Sequence, residues 1–261
     1  MNAFRRYGRA PFTVAVVHGG PGAAGEMAPV ARELSKNYGV LEPLQYSLSL
    51  EGQIQELASV LKEHCSVLVN LVGHSYGAIL AYLLAGRFPE LVKKLVMVGS
   101  VVLEDRYAQN IMAERRRRLS QQDDALLDSL LNQLDDSTDQ GDKNRIFGDI
   151  GRLMAKADAY DSLPCTAEEI DVRHDVHDAV WPGVAALRKS GELVAFGRNI
   201  CCPVVAIHGD YDPHPAEGVR RPLSAVIKDF RFVLLEKCGH TPWRERQARD
   251  SFFSLLKAEL A

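Results

Sequence analysis

The apolar positions of this chain follow two alternating rhythms. Thr13–Val17, Gly39–Leu44, Ser66–Val72, Leu95–Val98, Pro203–Ile207 and Phe230–Leu235 are short runs rich in β-branched and apolar residues, the signature of buried strands. Between them apolar residues recur at helical spacing. Met27, Val30, Ala31 and Leu34 form one stripe, and Ile54, Leu57, Ala58 and Leu61 a second. Phe252, Leu255 and Leu256 mark a helix near the end of the chain. Ala78–Ala85 is apolar nearly all round, which predicts a helix covered on every side. Strands alternating with helices of this length predict an α/β fold, a mostly parallel sheet with helices on both faces.

The rhythm breaks at about Glu104 and resumes after Gly197. The intervening segment is charged and helical, with one stripe at Leu127, Leu130, Leu131 and Leu134 and another at Ile146, Ile150, Leu153, Met154 and Ala157. Asp135–Lys143 reads as the polar loop between them. Thr166 and Glu169 have capping-box spacing, and Pro182 to Gly191 has Pro near a helix start and Gly past its end. The expected organisation is a core from residues 1–103 and 198–261, with 104–197 as a helical insertion. Only Met1–Pro11 precedes the first strand, which leaves room for one edge strand and a sheet of about six to seven strands. An open edge there could be covered by a second copy, so a homodimer fits this reading.

Composition narrows the function classes. With 261 residues, 46% of them hydrophobic, the chain can bury a sizeable core. A net charge of −3 gives no broad basic field, so nucleic acid is not an expected partner. No apolar run approaches the ~20 residues of a membrane span. Phe12–Val17 follows basic residues but runs straight into a glycine motif, so it reads as a core strand rather than an export signal, and the expected location is cytoplasmic. Five cysteines without CxxC spacing read as free thiols in a reducing compartment, with no metal site. Arg115–Arg118 point around the whole helix and read as a solvated face.

The candidate chemistry sits where strands end. Gly73-His74-Ser75-Tyr76-Gly77 joins an apolar strand to the all-apolar helix, with a serine at the apex and a glycine on each side. A bare G-x-S-x-G arises around any one serine with a chance of about 0.005, so the strand before and helix after carry the weight. His18, Ser75, Asp210 or Asp212, and His240 each follow an apolar strand, and sites in parallel sheets collect at strand carboxyl ends. The order is nucleophile, acid, base.

In HGGPG (18–22), GHSYG (73–77), GDYD (209–212) and CGHTPW (238–243) the chain resembles the α/β-hydrolase superfamily with a helical cap, over essentially its whole length. The resemblance implies Ser75 as nucleophile, His240 as base and Asp212 rather than Asp210 as the acid, with Glu104 and Asp105 as alternatives, since some members carry the acid after the preceding strand. It implies an oxyanion hole from the backbone N–H groups of Gly20 and Tyr76. His18 and His74 lie by the site as hydrogen-bonding residues, and His208 and His214 flank the acid turn in packing roles. His18, Tyr76, Met112, Leu153, Tyr160 and Trp181 are candidates to line a substrate pocket. The implied activity is acyl-enzyme hydrolysis of a small-molecule acyl substrate, a carboxylic ester or thioester, with no cofactor. Ser rather than Asp at the apex disfavours epoxide opening and halide displacement. HGGPG also resembles the proline iminopeptidase branch, where Asp171, Asp175 and Asp178 would bind a substrate amine; the GHSYG elbow departs from that branch. A non-catalytic small-molecule receptor on a hydrolase shell is the third reading.

Overall fold

The computed structural model describes residues 3–65, 67–164 and 170–261. The capping box expected at Thr166 and Glu169, the thiol of Cys165 and Ser66 lie outside them; the strand expected from Ser66 begins at Val69, because Val67 and Leu68 are exposed. The first half alternates as expected: β1 (Phe4–Tyr7), β2 (Phe12–Val17), β3 (Ala23–Ala24), α1 (Ala28–Leu34), β4 (Gly39–Pro43), α2 (Leu50–His64), β5 (Val69–His74), α3 (Tyr76–Arg87) and β6 (Val92–Val98). The insertion carries α4 (Ile111–Arg118), α5 (Gln121–Asp136), α6 (Gln140–Asp158), β7 (Asp171–Val172), α7 (His174–Ser190) and α8 (Glu192–Ala195). The chain returns through β8 (Val204–Gly209), α9 (Glu217–Val226), β9 (Phe230–Leu235) and α10 (Arg249–Leu260).

Among the described residues the main sheet has seven strands in the order β1-β4-β2-β5-β6-β8-β9. One edge strand precedes Phe12, as the short N-terminal stretch predicts. It is antiparallel to β4, and every other pairing is parallel. Strand order reverses between β2 and β5, which opens a crevice beyond their carboxyl ends. His18 and Ser75 emerge there.

Alternate residues of each strand feed two cores. Ala15, Val17, Leu71, Leu95 and Met97 pack toward α2, α3 and α7, while Val14, Val16, Val72, Val96 and Val98 pack toward α1 and α10. Each Val, Leu or Met side chain among them contributes about 1.5–3 kcal/mol on burial. Helix α3, buried on all sides, packs beneath β5 and β6 and so fixes the turn that feeds it.

Two expectations within the insertion change. The polar loop is only Ser137–Asp139, because the Asp139 carboxylate caps α6 by accepting the Asp142 N–H at 2.8 Å. Pro182 lies inside α7 rather than at its start. Pro182 and Asp178, whose carbonyl loses its helical donor there, both lie on the exposed face of the helix. Gly191 does end α7 in the left-handed conformation. Leucines of α5 and α6 form their own small core, whereas Val176, Val180 and Val184 of α7 join the main one.

Candidate active site

β5 ends at His74 and α3 begins at Tyr76, leaving Ser75 alone at the apex with φ 53° and ψ −119°. A non-glycine residue held there stores about 1–3 kcal/mol of strain. The turn tolerates no side chain on either flank. A Cβ on Gly73 would strike the Gly77 carbonyl, and one on Gly77 the His18 carbonyl. The Ser75 N–H donates to the Val98 carbonyl at 3.0 Å, tying the apex to β6.

The loops after β8 and β9 bring the other two members. Ser75 Oγ lies 2.9 Å from His240 Nε2, and His240 Nδ1 lies 2.7 Å from Asp212 Oδ2. Asp210 serves the turn instead, its carboxylate accepting the Cys238 N–H at 3.1 Å. Glu104 and Asp105 are engaged elsewhere, by Arg106 and Arg188. Burial works against ionisation of Asp212, but the surrounding imidazoles outweigh it and hold the carboxyl well below its usual range. Burial likewise disfavours the charged form of His240, and the Asp212 carboxylate overcomes it, raising the imidazole above its ordinary value.

The loop after β2 approaches from the other side. A Cβ on Gly19 would sit 3.2 Å from the Ser75 Cβ, so glycine is needed for this approach. The Gly19 N–H is taken by Glu26 Oε2 at 2.8 Å. The N–H groups of Gly20 and Tyr76, expected as oxyanion donors, have no acceptor among the described residues. Glu26 also meets His74 Nδ1 at 3.1 Å, and His74 Nε2 reaches the His240 carbonyl at 3.0 Å. One carboxylate thus links the loop, the strand before Ser75 and, through His74, the His240 backbone. Burial opposes its charge, but His74 prevails and holds Glu26 at about 2.

The pocket candidates divide. The His18 imidazole is buried, with Nδ1 against the Gly19 carbonyl and Nε2 accepting the Gln45 N–H, so it fastens the loop rather than facing substrate. The Tyr76 side chain is buried and donates to Gln53 Oε1, and Leu153 is part of the α5–α6 core. Met112 and Tyr160 are exposed, Tyr160 edge-on to Tyr211. Trp181 stacks on His177.

The arginine run is not the solvated face it resembles in sequence. Arg115 grips the Asp158 carboxylate with two bonds of 2.7 and 2.6 Å. The Arg118 guanidinium lies 3.9 Å from the Tyr211 ring centre and donates to the Tyr211 carbonyl at 2.7 Å. Arg116 and Arg117 do make surface pairs. Arg115 and Arg118 stand three apart on one helical face, the signal that could have separated them. Asp158 in turn accepts the His240 N–H on its backbone carbonyl at 3.0 Å. Buried Glu245 accepts the N–H groups of Gly239, Tyr160 and Asp161 at 2.8–2.9 Å. Neither acid carries any motif in the sequence.

Asp212, His214 and His240 bring potential metal-ligating atoms within 4.8 Å of one another. The contacts of Asp212 with both imidazoles already have hydrogen-bond lengths. No described helix is long and apolar enough to cross a membrane.

Solved structures share this architecture. VinJ is 18% identical over 98% of this chain and 93% of its own, with a TM-score of 0.70. A thioesterase domain from the curacin biosynthetic pathway is 18% identical over 98% of this chain and 94% of its own, at 0.63. The enol-lactonase from Burkholderia xenovorans LB400 is 16% identical over 98% and 94%, at 0.61. No curated protein matches the sequence. The model of the alpha/beta hydrolase family matches residues 14–250, which include Ser75, Asp212 and His240, and the chain belongs to that family.

Proposed function

We propose that this hydrolase acts by forming an acyl-enzyme on Ser75, with a small carboxylic ester or thioester as substrate. The observation that supports this most is the unbroken relay from Ser75 Oγ through His240 to Asp212, with heavy-atom separations of 2.9 and 2.7 Å. Ser75 Oγ attacks the acyl carbon while its proton passes to His240 Nε2. The Asp212 carboxylate stabilises the imidazolium and fixes Nδ1 as its donor. The oxyanion is met by the Gly20 and Tyr76 N–H groups, each such donor contributing about 3–4 kcal/mol in comparable sites. His240 then protonates the departing alcohol or thiol, and water, deprotonated by the same imidazole, releases the acid. No step calls for a metal or cofactor. The inserted helices would cover the crevice as a cap.

The aminopeptidase reading gains no specific support. Asp175 is bound by Arg173 through two contacts, Asp171 meets the Tyr46 hydroxyl and Asp178 is exposed.

The test is initial rates on nitrophenyl esters of rising acyl length, acyl thioesters and a prolyl arylamide, with Ser75→Ala as control. Turnover of ester or thioester that falls on the order of 10⁵–10⁶-fold in the variant is expected. Arylamide cleavage alone, or tight binding of a small acyl ligand with no turnover, would overturn the proposal.

A further inference from the structure

The catalytic acid holds more than the base requires. The Asp212 side chain is fully buried, and its two oxygens are divided between two imidazoles. Oδ2 faces His240 Nδ1 at 2.7 Å; Oδ1 faces His214 Nδ1 at 2.8 Å and accepts the His214 backbone N–H at 2.9 Å. The two rings lie 4.7 Å apart, tilted by 31°. His208 closes the group from β8, with Nε2 2.8 Å from the His214 carbonyl and 3.6 Å from Asp212 Oδ2. A fixed tautomer of His240 needs only the Oδ2 contact, so the His214 ring is surplus to that role.

We propose that His214 is a positioning residue of the catalytic unit: an uncharged imidazole whose Nδ1–H holds Asp212 Oδ1, keeps the carboxylate turned toward His240 and tempers its pull on the His240 proton. The inference rests on the reading of Ser75, His240 and Asp212 as that unit. Two donors on Oδ1 disperse carboxylate charge that would otherwise act on His240 alone. His214 can donate without adding charge. Burial outweighs the attraction of Asp212 and pushes its pKa down to about 4, so it is neutral at physiological pH. A second imidazolium against the His240 ring would oppose catalysis, which passes through charged His240. The charged and titratable groups facing the pair are Asp212 and His208 from the β8 side and Arg115 from α4. On His240 the Asp158 carboxylate from α6 and the Glu26 carboxylate also act, and the His74 ring lies 4.8 Å from its ring.

The test replaces the imidazole two ways. His214→Phe keeps a ring against His240 and removes the N–H; His214→Gln offers an amide N–H in its place. Each is placed on Ser75→Ala, and the His240 ring C–H is titrated by NMR, a readout independent of turnover. With Ser75 intact, kcat/KM is followed against pH. His214→Phe is expected to raise the His240 midpoint and the acidic limb of the profile together by about 0.5–1 pH unit, with kcat reduced. His214→Gln is expected to restore much of both. A His240 midpoint unmoved or lowered in a folded His214→Phe protein, or equal behaviour of the two variants, overturns the proposal. If His214→Phe does not fold, His214→Gln is compared with His214→Leu, which has no donor, under the same criteria. A midpoint that shifts as expected in a protein that hydrolyses no ester or thioester supports the positioning role while refuting the proposed function.

Discussion

Arg115→Met removes one half of a contact that joins α4 to the end of α6, where the Asp158 carbonyl accepts the His240 N–H. Methionine keeps much of the apolar stem, so the loss is chiefly the guanidinium. The Asp158 side chain is 6% exposed and Arg115 17%, so the remaining carboxylate is left without its cation in a poorly solvated place. Breaking a buried pair from one side costs about 3–5 kcal/mol, and the residual exposure of Arg115 points to the lower end, about 3 kcal/mol. Asp158→Asn in the Arg115→Met background removes the stranded charge. The double variant should therefore be more stable than the sum of the singles predicts, by about 2 kcal/mol. Urea unfolding of all four proteins measures this, provided m stays constant. The same variant has a catalytic signature of known sign. Arg115 disfavours the charged form of His240 and Asp158 favours it. Without Arg115 the imidazole takes its proton more readily, the acidic limb of kcat/KM moves to higher pH, and activity at pH 6 falls further than at pH 8. Singles that add within about 0.5 kcal/mol, together with an unmoved limb, would refute the coupling between this ion pair and His240.

Two more perturbations separate roles that the chain alone leaves mixed. Glu26→Gln should cost about 3 kcal/mol at neutral pH, from a drop of 4.5 to about 2 in the carboxyl pKa. Because the folded pKa is depressed, that stability is fully present above pH 4.5 and is lost as the pH falls toward 2; a difference from the parent that stays constant between pH 7 and pH 3 contradicts the assignment. Within the arginine run, Arg118→Ala should destabilise by about 1–3 kcal/mol through its bond to the Tyr211 carbonyl and its stacking, while Arg117→Ala stays within about 0.5 kcal/mol. Equal melting temperatures for the two variants would show that Arg118 is not anchored.

Much of this architecture is legible in the chain because each level of the sequence agrees with the next. The β5–α3 junction has an apolar strand, two glycines whose Cβ positions are filled by backbone, and a helix buried from Tyr76 to Ala85, and all three agree on one sharp turn. Asp212 was separable from Asp210 only by resemblance; in space the difference is plain, since Asp210 bonds its own turn and Asp212 reaches the imidazole. The supporting acids were illegible for a physical reason. Glu26, Asp158 and Glu245 act through contacts to backbone groups or partners distant in sequence, and a lone acid in a helix or loop carries no periodicity that announces such a contact. The arginine run misled because composition treats four neighbours alike, whereas the helix turns Arg115 and Arg118 to one face and leaves Arg116 and Arg117 in surface pairs. Leu153 misled in the opposite way: a leucine stripe reports that a face is covered, not what covers it.

The three backbone donors gathered by Glu245 have an implication for engineering. The chain leaving α6 and the loop bearing His240 are laced through one carboxylate, and reinforced by the Leu163 N–H to the Arg244 carbonyl and the Arg246 N–H to the Asp161 carbonyl. The insertion is therefore not a cassette that can be exchanged at its two ends. A graft that discards residues 158–163 would take away the scaffold that sets the height of His240 above Ser75.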